Sequence, residues 1–108
     1  MPDSKILLSI AVLGGTGKEG KGLAYRWARA GYHVRIGSRT AEKAVAAARE
    51  ITEMLGGEIS VEGMTNLEAA HEADIVVITV PYSAHRDTLE SVKDKLKGKI
   101  LVDVTVPL

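Results

Sequence analysis

Hydrophobic and polar positions alternate between two rhythms along this chain. Residues 6–13 form an apolar run broken only by Ser9, the pattern of a parallel strand covered on both faces. Residues 17–30 then carry Leu23, Ala24, Trp27 and Ala28 at helical spacing, and Gly31 supplies the C-terminal stop. Residues 33–37 read as a short second strand. Thr40 stands as the N-cap of a helix over 41–55 that is rich in Ala and Glu, with Lys43 rather than Glu at the capping-box position and Gly56-Gly57 at its end. Residues 59–62 predict a third strand and 66–72 a short helix. Residues 75–80 are a second buried β-branched run, entered from Asp74 and stopped by Pro81. An amphipathic helix over 83–96 carries Leu89, Val92 and Leu96, Gly98 breaks it, and 100–104 is the last strand.

Strands that alternate with helices imply right-handed crossovers and a parallel sheet. The expected fold class is therefore α/β: a Rossmann-like, doubly wound parallel sheet of five strands in order 3-2-1-4-5, in a three-layer α/β/α sandwich. In such a sheet the ligand site is the crevice between the carboxyl ends of strands 1 and 4. All 108 residues fit one domain, and no repeat or internal linker interrupts them.

Composition narrows the function more than the fold. Fourteen Lys and Arg balance fourteen Asp and Glu, which gives no reason to expect a nucleic acid or an anionic membrane as partner. The chain has no Cys, so disulfides, thiolate catalysis and Cys-ligated metals are excluded. That absence fits a reducing, cytoplasmic setting. The run over 6–13 is too short to span a bilayer, and no small-residue cleavage site separates it from the glycines that follow. It reads as structure rather than as a targeting signal.

Those glycines are the first candidate chemistry. Gly15-Thr16-Gly17-Lys18-Glu19-Gly20 matches G-x-G-x-x-G. In a chain with eleven glycines such a match is weak by itself. Its place, directly after a strand and opening a helix, is the setting that a dinucleotide site requires. Gly15 is expected to permit the sharp turn, Gly17 to let backbone approach a pyrophosphate, and Gly20 to let the helix pack closely on the strand. The helix start offers free N–H groups and a positive dipole end, and Thr16 adds a hydroxyl. A P-loop is ruled out, because Gly17-Lys18 is followed by Glu19 and Gly20-Lys21 by Gly22, where that motif needs Ser or Thr.

The end of the second strand selects the dinucleotide. An NAD site usually carries Asp or Glu about twenty residues beyond the turn, to accept from the ribose 2′-OH. Here the strand ends at Gly37 and runs into Ser38-Arg39-Thr40, and no carboxylate lies between Tyr32 and Ala41. Ser38 and Arg39 offer a hydroxyl and a planar guanidinium to a 2′-phosphate, and Lys43 adds a third donor from the next helix. The pattern points to NADP(H) over NAD(H). The alternative for Arg39 and Lys43 is a pair of solvated surface charges.

Taken together, Leu13-Gly14-Gly15-Thr16-Gly17, Gly20-Lys21-Gly22-Leu23-Ala24, Gly37-Ser38-Arg39, Gly63-Met64, Asp74-Ile75 and Thr79-Val80-Pro81 resemble the amino-terminal half of the NADPH-dependent coenzyme F420 reductases (F420:NADP oxidoreductases). The resemblance covers residues 6–107. It implies hydride transfer between the nicotinamide C4 of NADP(H) and C5 of the deazaflavin ring of F420. It also implies phosphate contacts from Thr16, Gly17, Lys18 and Glu19, and 2′-phosphate contacts from Ser38, Arg39 and Lys43. Val80 and Pro81 would lie along the nicotinamide side. Glu19, beside a pyrophosphate, has to point outward. Residues 1–108 would then be the NADP(H)-binding domain, and the second region, which builds much of the deazaflavin pocket and the dimer contact, is absent from this chain.

Hydride transfer between two carriers needs no acid–base residue, so no catalytic residue is assigned. His85, just past Pro81, could touch the nicotinamide carboxamide or a substrate, but a histidine near a helix start is more often a surface residue. His33 and His71 lie too far from it in sequence to suggest a metal site. Trp27, spaced with Leu23, reads as core. Lys93, Lys95, Lys97 and Lys99 read as a solvated helix end. Two other functions remain open: a non-catalytic NADP(H)-binding regulatory module, and an NADPH-dependent reductase of another small substrate, such as an imine, a ketone or ferric iron.

Overall fold

The computed structural model describes residues 8–59, 61–80 and 82–104. Ten elements alternate along them: β1 (Ser9–Leu13), α1 (Lys18–Arg29), β2 (His33–Ser38), α2 (Ala41–Met54), β3 (Glu62–Thr65), α3 (Asn66–Glu72), β4 (Ile75–Ile78), α4 (Tyr82–Val92), a 3-10 turn (Lys93–Lys95) and β5 (Ile100–Asp103). The five strands form one parallel sheet in the order β3-β2-β1-β4-β5, the topology expected from the alternation.

Strand pleating divides the interior into two cores. Ile10 and Val12 of β1 pack with Val34, Ile36 and Val77 against Ala24 and Ala28 of α1 and Ala44, Ala47, Ala48 and Ile51 of α2. Ala11 and Leu13 point the other way and join Val76 and Ile78 in a core with Ala69 and Ala70 of α3 and Val92 of α4. Every β1 residue is buried, which is why its sequence is continuously apolar instead of alternating. The helices meet the sheet mainly through alanines, so backbone and strand approach closely. Burial of each large side chain, such as Leu13, Ile36 or Ile51, contributes roughly 1.5–3 kcal/mol. Trp27 lies against the first core, as its spacing predicts.

Helix ends follow local chemistry. Gly31, at φ 104°, turns the chain out of α1 while its N–H donates to Ala28 O and that of Tyr32 to Trp27 O. Gly56 and Gly57, both at φ 81°, stop α2. Thr40 holds the N-cap position of α2 without a side-chain bond. A complete capping box sits instead at α3: Thr65 Oγ1 accepts from Glu68 N at 3.3 Å, and Glu68 Oε1 accepts from Thr65 N at 3.1 Å.

Several boundaries differ from the sequence expectation. β3 occupies Glu62–Thr65, three residues beyond the predicted 59–62 (Ser60 lies outside the described residues). Ile59 and buried Val61 are drawn into the first core, and Val61 N donates to Thr52 Oγ1 of α2 at 3.1 Å. Pairing with β2 starts only at Arg35↔Glu62. Packing thus overrides the preference of β-branched residues for the strand. β4 ends at Ile78 instead of Val80. The helix predicted to run to Leu96 ends at Val92 and tightens into the 3-10 turn. There Ser91 Oγ donates to Thr88 O at 2.7 Å, crowding the carbonyl that a regular helix would offer to Val92 N. Lys99 is not part of a solvated helix end: its Nζ donates to the carbonyls of His71 and Ala73 and closes the C-terminus of α3. β1 begins at Ser9, and residues 6 and 7 of the predicted run lie outside the described residues. β5 is exposed along its length, with Ile100 62%, Leu101 43% and Val102 39% accessible.

β3 passes so close to α2 that a Cβ on Gly63 would lie 2.2 Å from the Ala44 carbonyl oxygen. Backbone cannot yield there as a flexible side chain would. Gly63→Ala is expected to destabilise the domain by about 2–3 kcal/mol, read from the midpoint of urea unfolding. A substitution within 0.5 kcal/mol of wild type would show that β3 does not approach α2 this closely.

Candidate functional site

The turn between β1 and α1 is built from backbone that admits no side chains. Gly14 takes the left-handed conformation, φ 70°, and a Cβ there would stand 2.2 Å from Val80 Cγ1. The sharp turn expected at Gly15 is therefore made one residue earlier. Gly15 is required for a different reason: its Cβ would meet Val12 O at 2.8 Å and Ile36 Cγ2 at 2.9 Å. Gly20, on the first turn of α1, sits over Gly15 Cα at 2.6 Å and Thr79 Oγ1 at 2.8 Å from its own missing Cβ. This is the close packing expected of it. Gly17 differs from both, because its Cβ position meets only Gly14 O at 3.9 Å and faces open space.

Neighbouring elements hold this turn from several sides. Thr79 Oγ1, just past β4, donates to Leu13 O at 3.0 Å, and Thr79 N donates to the same carbonyl at 3.1 Å. Gly15 N donates to Gly37 O of β2 at 3.1 Å. Asn66, buried at the start of α3, accepts from Gly14 N through Oδ1 at 3.3 Å. The sequence reading did not single out Gly14, Thr79 or Asn66 for these contacts. The Thr65-x-x-Glu68 capping box would have located the helix start that aims Asn66 at the turn, but nothing local marks its partner 52 residues away.

A cleft of about 600 Å³ opens above the turn, at the carboxyl ends of β1, β2 and β4. Of the residues expected to bind the dinucleotide, it brings together Thr16, Gly17, Ser38, Arg39, Lys43 and Val80. Gly15 and Gly20 lie buried beneath it as structural supports. Lys18 and Glu19 have exposed side chains that do not line the cleft, and Lys18 borders a separate groove with Lys21, Tyr25 and Glu50. Pro81 lies outside the described residues.

The electrostatics of the cleft are one-sided at this end. Gly17 caps α1 without a side-chain bond, and Lys21 N is the first α1 amide with a backbone acceptor, Gly17 O at 2.9 Å. Among the described residues, the amides of Lys18, Glu19 and Gly20 thus have no backbone acceptor, at the positive end of the helix. Ser38 Oγ accepts from Thr40 N at 3.4 Å, which leaves its hydroxyl proton to donate. Among the described residues, no carboxylate lies within ion-pair distance of Arg39 or Lys43. Arg35, by contrast, is tied to Glu62 at 3.4 Å and to Ser9 Oγ. His85 does not line the cleft, and its Nε2 lies 2.8 Å from Asp103 Oδ2. Among the described residues no group of three His, Cys, Asp or Glu could hold a metal ion, and no helix is long and apolar enough to cross a membrane.

A doubly wound sheet with a glycine-lined, donor-rich crevice at its topological switch point defines a Rossmann-type nucleotide-binding domain. Comparison with known proteins narrows the class. Residues 9–107 match the family described as "NADP oxidoreductase coenzyme F420-dependent", and the chain belongs to that family. It is 54% identical over 102 residues to the F420-dependent NADP reductase of Methanothermobacter marburgensis, a match that covers 94% of this chain and 46% of that protein. A solved structure from Arthrobacter sp. FB24, proposed to be an F420-dependent NADP reductase, superposes with a TM-score of 0.75 at 31% identity, over 91% of this chain and 44% of that one. The imine reductase of Myxococcus stipitatus in complex with NADP+ superposes with a TM-score of 0.68 at 26% identity, over 90% of this chain and 32% of that one. The chain spans about half the length of the curated reductases it matches.

The turn geometry makes a quantitative prediction. Gly14→Ala is expected to lose about 2–4 kcal/mol, part from the left-handed φ and part from contact with Val80. The double variant Gly14→Ala/Val80→Ala should recover only the steric part, with a coupling of about 1 kcal/mol or more in a double-mutant cycle. Strict additivity in urea unfolding would remove the Gly14–Val80 contact from the account.

Proposed function

We propose that this chain is the NADP(H)-binding domain of a reductase that moves hydride between NADP(H) and coenzyme F420. One observation carries the choice of dinucleotide. Ser38, Arg39 and Lys43 line the same cleft as the open start of α1 and have no acidic partner among the described residues. A ligand with a pyrophosphate and a further phosphate on its adenosine ribose satisfies both donor sets at once. A 2′-hydroxyl would leave the second set without its charge partner.

The residues take distinct roles in this reading. The backbone at Gly17 and the amides of Lys18, Glu19 and Gly20 hold the pyrophosphate, with the Thr16 hydroxyl beside them. Gly15 keeps the turn tight enough for α1 to aim at it. Ser38, Arg39 and Lys43 bind the 2′-phosphate, the guanidinium through paired N–H groups. Val80 and Pro81 flank the nicotinamide and help to exclude water. The bound dinucleotide supplies the hydride chemistry, and the chain supplies position and a field of donors. F420 is the second substrate. The named reductases are about twice as long as this chain, and the resemblance assigns much of the F420 pocket and the contact of a homodimer to their second region. A cytoplasmic location is consistent with the lack of cysteine.

Calorimetric titration with NADPH and NADH side by side tests the reading. NADPH is expected to bind about 100-fold more tightly, as two or three charge-assisted hydrogen bonds imply. Arg39→Ala should remove most of that preference by weakening NADPH alone. Equal affinity of the wild-type chain for the two dinucleotides would contradict the assignment.

A further inference from the structure

The wall of the cleft opposite Arg39 and Lys43 has the reverse hydrogen-bonding character. It is one face of α4, formed by Ala84, Asp87, Thr88 and Ser91, whose i, i+3, i+4, i+7 spacing aligns them along the helix. All four side chains are short, which leaves room for a flat ring between the walls. Thr88 Oγ1 donates to Ala84 O at 3.0 Å, and Ser91 Oγ donates to Thr88 O at 2.7 Å. Each hydroxyl has a single proton, so both offer only lone pairs to the cleft. Asp87 is exposed, lines the cleft and has no ion-pair partner among the described residues. The α4 wall therefore presents acceptors alone, headed by one free carboxylate.

We propose that Asp87 reads the base of the dinucleotide by accepting a hydrogen bond from the exocyclic 6-amino group of adenine. The proposal rests on the NADP(H) reading. A 2′-phosphate held at Ser38 and Arg39 fixes the adenosine ribose there, and the base leaves the adjacent carbon of the same sugar. The base is thus confined to the space between the end of β2 and α4. An acceptor-only wall favours a group with N–H donors directed at it. Hypoxanthine carries a carbonyl oxygen where adenine carries the amine, and that oxygen would face a carboxylate with no proton between them. Asp87 would discriminate by this mismatch as well as by the bond it makes. In this role Asp87 is a specificity residue for the cofactor and takes no part in hydride transfer.

The test compares binding of NADPH and its deaminated analogue, reduced nicotinamide hypoxanthine dinucleotide phosphate, by calorimetry. The wild-type chain is expected to favour NADPH by about tenfold or more. Asp87→Ala should weaken NADPH and bring the two ligands to equal affinity. Asp87→Asn, which carries both a donor and an acceptor, should strengthen the analogue relative to wild type. Asp87 is exposed on a helix, and unchanged circular dichroism would establish that the variants fold. Equal affinities in the wild-type chain, or a preference that survives Asp87→Ala, overturn the role of Asp87 and leave NADP(H) binding intact. Failure of the wild-type chain to bind either dinucleotide overturns both.

Discussion

Everything in this domain depends on how closely the backbone of the β1–α1 turn can be approached. At Gly14, Gly15 and Gly20 a single added carbon would lie within 3 Å of a neighbouring atom. Val80 presses on the first, Val12 and Ile36 on the second, and Thr79 and Gly15 itself on the third. The turn is not a flexible glycine loop. It is clamped between the ends of β1, β2 and β4, and its carbonyls and amides are assigned to Thr79, Gly37 and Asn66. That clamp aims the start of α1 at the cleft. Without it the free amides of the helix would point at solvent in no fixed direction, and their dipole would do little work there.

The clamp separates two kinds of glycine within one short stretch of sequence. Gly14, Gly15 and Gly20 are needed because something inside the protein occupies the place of a Cβ. Gly17 faces outward, where only a ligand could do so. The same division recurs at the end of β2. Gly37 would carry its Cβ 2.8 Å from Asn66 Oδ1 and serves packing, while Ser38 and Arg39, the next two residues, line the cleft. Buried supports and exposed donors thus lie side by side in sequence. Binding can use rigid backbone because the adjoining residue fixes it.

The sheet order and most elements were legible in the sequence because the inner strands are buried on both faces and leave unbroken apolar runs. β3 was not: its strand residues include Gly63 and exposed Glu62, while the β-branched residues just before it serve the core. Pairing register decides such a strand, and register is a long-range property. The exposure of β5 was hidden for a similar reason, since apolar residues announce a strand without saying what covers it. At the site, the donors at Ser38, Arg39 and Lys43 were legible because an expected acid was missing. Gly14 was confused with Gly15, since either can turn sharply and only Val80, 66 positions on, distinguishes them. Asn66 and the α4 wall reach the cleft through tertiary folding alone. Family membership, established over residues 9–107, agrees with the resemblance seen in the turn and in Gly37-Ser38-Arg39.

The central claim is that the start of α1 and the end of β2 hold one dinucleotide together. Titration of the isotopically labelled chain with NADP+, followed by amide ¹H–¹⁵N NMR spectra, tests it most directly. The amides of Thr16 through Gly20 and those of Ser38 through Lys43 should shift in a single saturating transition, while Gly63, behind α2, stays in place. Shifts confined to one of the two groups, or two transitions with different midpoints, would contradict a shared ligand.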